Sequence, residues 1–338
     1  MYPIEDLASF VRDLGSECTT LNMGHNYLVA GSKTGRITLW NTNTGQEGWT
    51  LEVEGPISDL EIDEEIYVTA SAELHAINKE NGVLEWSVDI EGSSDLIEID
   101  ENKIFVTSSL YEIEVQDYTE TTFFTFDKNG QLLGSVNFEE KPWFMKKQNQ
   151  KIILGIGRPR CGILTIDDKY NISHSRTDGN SPVNMGIKTN KRFLLGHSDG
   201  TITEINDSGR KYIQCGNDSI TAISSKDISW QAGDKNGNLF SSDGWSKKLG
   251  DRINCIVETK HHIWVSVTSK NNVVYLLDKW SGSIKHQFSH DYKIQLMKLL
   301  DNNLAISDEE GKVMFFDTKT LEKRIGTKSV ISEDLERR

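Results

Sequence analysis

Cysteine is scarce in this sequence and never clustered: Cys18, Cys161, Cys215 and Cys255 stand far apart, with no C-x-x-C among them. That sets aside a disulfide-dense secreted domain, and a reducing compartment is the simpler expectation. Cys255, inside the apolar run Ile253–Val257, reads as a small buried hydrophobe. No stretch approaches the roughly 20 apolar residues that span a bilayer, and the first residues lack a basic segment leading into an apolar core. The protein is therefore expected in the cytoplasm, away from membranes. Enzyme signatures are missing too: there is no P-loop, no G-x-G-x-x-G opening a helix, no G-x-S-x-G and no H-E-x-x-H. His261 and His262 are the one adjacent histidine pair, and neighbours on a strand point to opposite faces, which argues against a shared metal. No catalytic residue, metal ligand or cofactor is expected.

Positive charge is also in short supply. The 338 residues carry 37 Lys and Arg against 51 Asp and Glu, a formal net charge of −14. The deficit is uneven: residues 1–140 hold 28 acidic and 6 basic side chains, a balance of −22, whereas residues 141–338 hold 23 and 31, a balance of +8. Phosphate binding needs a positive field, so nucleic acid could engage only the basic part.

What the sequence does contain is a repeat. Short apolar runs recur at Tyr27–Val29, Ile66–Val68, Ile104–Val106, Ile152–Leu154, Phe193–Leu195, Ile228–Trp230, Ile263–Val265 and Leu304–Ile306. Their last residues are separated by 39, 38, 48, 41, 35, 35 and 41 positions. Such spacing, near 40, marks a repeated supersecondary unit. Each run has the look of a strand buried on both faces. Before it comes an alternating run, such as Ile57–Ile62 or Ile220–Ile223. After it come a polar turn and a third strand ending near Asn41, Asn78, Asp127, Asp167, Asn206, Asp243, Asp278 or Asp317. Asn and Asp start turns by bonding the backbone two residues on. A glycine often follows (Gly45, Gly82, Gly130, Gly209, Gly244, Gly282), and then a fourth strand with an aromatic such as Trp49, Trp86, Phe138 or Phe288.

Four antiparallel strands per unit at this period predict an all-β chain folded as one β-propeller, with eight blades and seven as the alternative. The fourth unit departs most, because Arg158-Pro-Arg160 replaces its glycine turn. The segments Val29-Ala-Gly-Ser-Lys-Thr-Gly-Arg-Ile-Thr-Leu-Trp-Asn41 and Leu195-Gly-His-Ser-Asp-Gly-Thr-Ile-Thr-Glu-Ile-Asn206 resemble WD repeats. The segment Ala76-Ile-Asn-Lys-Glu-Asn-Gly-Val-Leu-Glu-Trp86 resembles a PQQ-type, quinoprotein-like repeat. The resemblance implies a propeller over residues 18–326 and leaves function open, since propellers host unrelated activities. It does not extend to the quinone cofactor, because the alcohol-oxidising members carry neighbouring cysteines that this chain lacks. Nor does an export signal or a lipidated cysteine precede the propeller, as in the outer-membrane assembly branch.

Residues 3–14 change period. Ile4, Leu7, Phe10, Val11 and Leu14 fall at helical spacing between Pro3 and Gly15, which predicts a short amphipathic N-terminal helix, with residues 1–17 as helix and lead-in. Alternatively, Phe10 to Leu14 adds a strand to the last blade and closes the ring. The polar segment 327–338 reads as a frayed tail.

Two departures from the repeat are the candidate sites. An insertion in the third unit, about Ser109 to Thr121, explains the 48-residue interval and brings Tyr111, Glu112, Glu114, Asp117, Tyr118 and Glu120. A basic cluster in the fourth unit comprises Lys141, Lys146, Lys147, Lys151, Arg158 and Arg160, with Trp143 among them. The insertion and Arg158/Arg160 belong to loops of one propeller face, where long loops tend to be functional. Either they pair with each other, or Arg158 and Arg160 take an acidic or phosphorylated partner. Lys33, Arg36, Arg252 and Lys293 lie on loops of the same face. The expected function is a non-catalytic scaffold for protein partners in a cytosolic complex. The alternatives are an enzyme, hydrolase or lyase, with its site in the central funnel, or a nucleic-acid-associated propeller using the basic arc. Around a ring, the −22 and +8 portions become two arcs, which predicts a basic partner on the side of blades one to three.

Overall fold

Each apolar run, apart from Ile228, lies in the second strand of a four-stranded antiparallel blade in the computed structural model, which describes residues 1–176, 180–226, 228–321 and 325. There are eight such sheets, so the blade count is eight. The first strands are Cys18–Met23, Ile57–Ile62, Ser93–Asp100, Pro142–Gln148, Val183–Lys188, Ile220–Lys226, Arg252–Glu258 and Ile294–Leu300. Each touches the next, and the eighth touches the first, so they form a closed inner ring. The second strands are the most buried, as their unbroken apolar character requires: Leu28, Val29 and Ala30 in blade 1 and Ile263, Trp264 and Val265 in blade 7 are wholly enclosed. In blade 6 the strand starts at Ser229, which leaves Ile228 outside it and exposed.

Asn and Asp do start the turns after the third strands. Asn41 Oδ1 accepts the N–H groups of Asn43 and Thr44 at 2.9 and 3.1 Å, and Asp127 Oδ1 those of Asn129 and Gln131 at 2.9 and 2.8 Å. In blade 6 the third strand ends sooner and Ser241 takes that role, its Oγ accepting from Asp243 N–H at 3.1 Å.

The glycine after this turn has a second purpose that sequence reading alone did not assign. Trp49, on the outer strand of blade 1, lies flat on Gly82 in the turn of blade 2, and its indole N–H donates to Lys79 O at 2.9 Å. Trp86 docks on Gly130 of blade 3 in the same way, reaching Lys128 O at 3.1 Å. Blade 3 reverses the arrangement: it has Gly134 where the first two have tryptophan, and Tyr170 from the blade 4 turn packs onto it. Gly82 combines φ +73° with a would-be Cβ only 2.6 Å from the Trp49 ring. Gly82→Ala is therefore expected to destabilise the protein by about 2–4 kcal/mol, from left-handed strain plus overpacking. The denaturation midpoint measures this, and an unchanged midpoint would contradict the docking role.

The chain's beginning is not the amphipathic helix its spacing predicts. Tyr2–Pro3 adds to blade 7 as a parallel fifth strand, Ile4–Leu7 makes a single 3₁₀ turn, and Phe10–Asp13 is the outer strand of blade 8, paired with Lys312–Asp317. The alternative reading, strand addition that closes the ring, describes this chain. Ile4 and Leu7 are buried with Trp264, Phe288, Met314 and Phe316. Phe10 stacks on Phe315 and covers Gly45 of blade 1, the place Trp49 takes on Gly82. Helix occurs instead after the last strand, at residues 318–321 and 325, where Leu321 and Ile325 enter the same core. The predicted tail, 327–338, lies outside the described residues. No described helix is long and apolar enough to cross a membrane.

Candidate functional site

The 48-residue interval is a hairpin, not an open loop. Lys103–Glu112 and Asp117–Asp127, the second and third strands of blade 3, stay paired as far as Glu112 opposite Asp117. Their flanking strands stop earlier, at Ser93 opposite Ser109 and Phe138 opposite Thr121. Residues 110–120 thus leave the sheet as a two-stranded ribbon with both edges open. At its root Ser109 Oγ and Thr121 Oγ1 share a buried hydrogen bond of 3.0 Å.

One face of the ribbon is aromatic and braced. Tyr111 and Tyr118 are cross-strand partners with ring centroids 5.2 Å apart, and Tyr118 meets Trp143 of blade 4 edge-on at 6.4 Å. Lys141 Nζ sits 4.0 Å from the Tyr118 centroid and 5.2 Å from that of Trp143, and 2.5 Å from Asp95 Oδ1. A cation between two rings and against a carboxylate fixes the ribbon to the neighbouring blade. Leu110, Tyr111, Ile113, Val115 and Trp143 nevertheless keep large apolar surfaces in solvent, and Ile113 is 83% exposed. Of these, Leu110, Ile113 and Val115 were not singled out from sequence, although their alternation with Glu112 and Glu114 is a visible signal.

The basic cluster of blade 4 does not form one patch. Lys146 bridges Glu61 and Glu98 of blades 2 and 3 at 2.9 and 2.5 Å, and Lys147 is bonded to Asp100. Burial works against the charge of Lys146, but its two carboxylates outweigh it and raise its pKa. Arg160 grips Glu140 through two bonds of 2.6 and 2.7 Å, and Glu140 has no exposed side-chain surface. Burial alone would push the Glu140 carboxyl up, yet Arg160 holds it below the usual range. The acidic and basic loops therefore do not pair with each other: Arg160 turns to Glu140 beside its own blade, and Glu112, Glu114 and Asp117 make no ion pair among the described residues. Arg158 is exposed. Lys33 and Arg36 pair with Glu17 and Glu52 of blade 1, while Arg252 and Lys293 stand at blades 7 and 8. The structure thus gathers Tyr111, Glu112, Asp117, Tyr118, Trp143, Arg158 and Arg160 on blades 3 and 4 and leaves the other four elsewhere on the ring.

Carboxylates converge at the inner ring, but each has a partner. Besides Glu61 and Glu98 on Lys146, the Asp59 carboxylate accepts the N–H groups of Leu60 and Ile97 at 2.9 and 3.1 Å, and burial pushes it up to about 6. Where blades 5–8 line the ring, Ile187, Ile223, Ile256, Met297 and Leu299 stand among Lys188, Lys226, Lys298 and Glu258. Among the described residues no three His, Cys, Asp or Glu side chains are disposed to hold a metal.

Comparison with known proteins agrees with this architecture. Residues 9–96 and 33–135 match the family model described as outer membrane protein assembly factor BamB, a PQQ-type repeat. No curated protein matches the chain. Among solved structures, Sqt1 of Saccharomyces cerevisiae superposes with a TM-score of 0.76 at 12% identity, covering 94% of this chain and 99% of that one. The computationally designed Ika8 protein gives 0.73 at 16% identity over 90% and 98%. BamB of Moraxella catarrhalis gives 0.69 at 14% identity over 91% and 98%. At such identities the likeness is one of fold. With eight four-stranded blades closed in a ring, the chain is an eight-bladed β-propeller whose first three blades are similar to PQQ-type repeats.

Proposed function

We propose that this propeller is a non-catalytic scaffold in the cytosol, binding protein partners through the blade 3 ribbon and the face from which it projects. The observation that carries this is the set Leu110, Tyr111, Ile113 and Val115, held together in solvent where the second and third strands of blade 3 project beyond the rest of their sheet. Exposed apolar groups in one place mark an interaction surface. The brace of Tyr118, Lys141 and Trp143 reduces the ordering that binding would require. Four unpaired cysteines suit a reducing compartment, and burial raises the thiols of Cys18 and Cys255 to about 11 and that of Cys215 to about 12, away from nucleophilic chemistry. Of the carboxylates an axial enzyme would use, Glu61 and Glu98 already hold Lys146, and Asp59 accepts two backbone N–H groups.

Replacing Ile113 and Val115 with serine changes only exposed side chains, so stability is expected to stay within about 0.5 kcal/mol for each. Partners that co-purify with the native chain from its own cells are expected to be lost with this variant. They are expected to remain with Lys33→Ser plus Arg252→Ser, which lie on other blades. An identical partner set for all three proteins would overturn the choice of site.

A further inference from the structure

The ribbon's chemistry also describes what would cover it. Leu110 is the cross-strand partner of Glu120, and Glu112 that of Asp117, so the face opposite Tyr111 and Tyr118 carries three carboxylates beside an exposed leucine. Like charges directly opposite each other on adjacent strands repel. No cation of this chain answers them among the described residues: Lys141 belongs to Asp95, and Arg160 to Glu140. Glu114, at the turn between Ile113 and Val115, adds a further negative charge at the tip.

Beside the ribbon runs a groove of about 680 Å³, lined by Thr119, Glu120, Phe138, Glu139, Arg160 and His174. With Arg160 neutralised by Glu140, its remaining charges are those of Glu120 and Glu139. The ladder to the outer strand ends at Thr121, so the backbone edge of residues 117–120 is open along this groove, and the Thr119 Oγ1 there is enclosed without a hydrogen-bond partner. An open edge, an acidic lining and aliphatic side chains together specify an occupant: an extended chain can add to the edge while its side chains alternate between the two faces.

We propose that the blade 3 ribbon and its groove bind an extended basic segment of a partner protein, lysine- or arginine-rich with interspersed aliphatic residues. This rests on the scaffold reading and names the partner's chemistry. Cations of the segment neutralise Glu112, Asp117, Glu120 and Glu139, while its aliphatic residues cover Leu110, Ile113 and Val115.

The test uses the full chain and two labelled peptides about twelve residues long, Lys and Leu alternating with Thr in one, Glu replacing every Lys in the other. Fluorescence anisotropy at low salt is expected to show binding of the basic peptide at least about 10-fold tighter than the acidic one, weakening as salt screens the charges. The variant Glu112→Lys, Glu114→Lys, Asp117→Lys is expected to lose about 10-fold or more in affinity with most of the salt dependence. Ile113→Ser with Val115→Ser is expected to weaken binding about 5–10-fold while keeping that dependence. Thermal denaturation matching the native chain shows that both variants are folded. Equal affinity for the two peptides, or variants that bind like the native chain, overturns the proposal. If the serine variant loses its cellular partners while the basic peptide fails to bind, the scaffold reading stands and the basic segment falls; if partners are unchanged as well, both fall.

Discussion

Replacing Arg160 with methionine is expected to lower stability at neutral pH by about 2–4 kcal/mol, because it leaves a buried carboxylate without its cation. Glu140 has no exposed side-chain surface, and the Arg160 side chain supplies two of its hydrogen bonds, the Arg160 backbone N–H a third that the variant keeps. The lower part of the range allows for the 40% of the Arg160 side chain in solvent, which lets water into the vacated place. The effect depends on pH in a definite direction. In the native chain the Glu140 carboxyl lies below its ordinary 4.5, so its stabilisation is complete above that value and is lost as pH falls through the lower folded value. In the variant only backbone N–H groups, that of residue 160 among them, are left to oppose burial, so the carboxyl rises from its native value and the penalty grows as pH rises through that value. Urea unfolding of both proteins at pH 7 and near pH 4.5 should show the gap narrowing on acidification. A gap independent of pH would mean that Arg160 acts through packing alone. Adding Glu140→Gln to the variant is expected to recover part of the loss.

Removing residues 1–13 is expected to have the largest effect. The deletion strips the outer strand from blade 8 and the fifth strand from blade 7, and uncovers the core around Trp264, Phe288, Met314 and Phe316. Ile4 and Leu7 are buried, and truncating each to alanine alone is expected to destabilise by about 2–5 kcal/mol. Together with the lost strands, that approaches the whole stability of about 5–15 kcal/mol typical of a native protein. The truncated chain is expected to aggregate or to exchange strands between copies, visible as a shift in size-exclusion chromatography. A synthetic peptide spanning residues 1–14, added in trans, is expected to restore the native elution and melting temperature. A truncated monomer that melts like the full chain would remove the closure role from these residues.

The repeat was legible because it rests on local chemistry. A second strand must be apolar on both faces, and a turn after the third strand needs Asn or Asp, so both left marks at a fixed spacing. The N-terminal segment misled for an equally physical reason. Ile4 and Leu7 are three apart because they share one 3₁₀ turn, and Phe10 follows three later on a separate strand, so two short elements imitate one helical face. The pairings across blades could not be read, since Lys146 meets Glu61 from 85 positions away and nothing local marks the pair. The insertion was visible from spacing, but its form as a paired ribbon depended on Tyr111 meeting Tyr118. The tryptophan docking did leave a mark that went unused: Gly45 and Gly82 each precede a tryptophan by four residues, whereas Gly130 precedes Gly134.

Ring closure by the first and last strands also imposes a timetable on synthesis. Phe10–Asp13 emerges from the ribosome early, but its partner Lys312–Asp317 is made some three hundred residues later. At ordinary translation rates that delay is on the order of 15–60 s. Until blade 7 is made, Ile4 and Leu7 lack Trp264 and Phe288 to cover them, and until the last strand is made Phe10 lacks Phe315, while seven blades accumulate as an open arc. Completion of the disc is thus controlled by the final strand, and a chain halted before Lys312 has the parts of every blade but the last and still no ring.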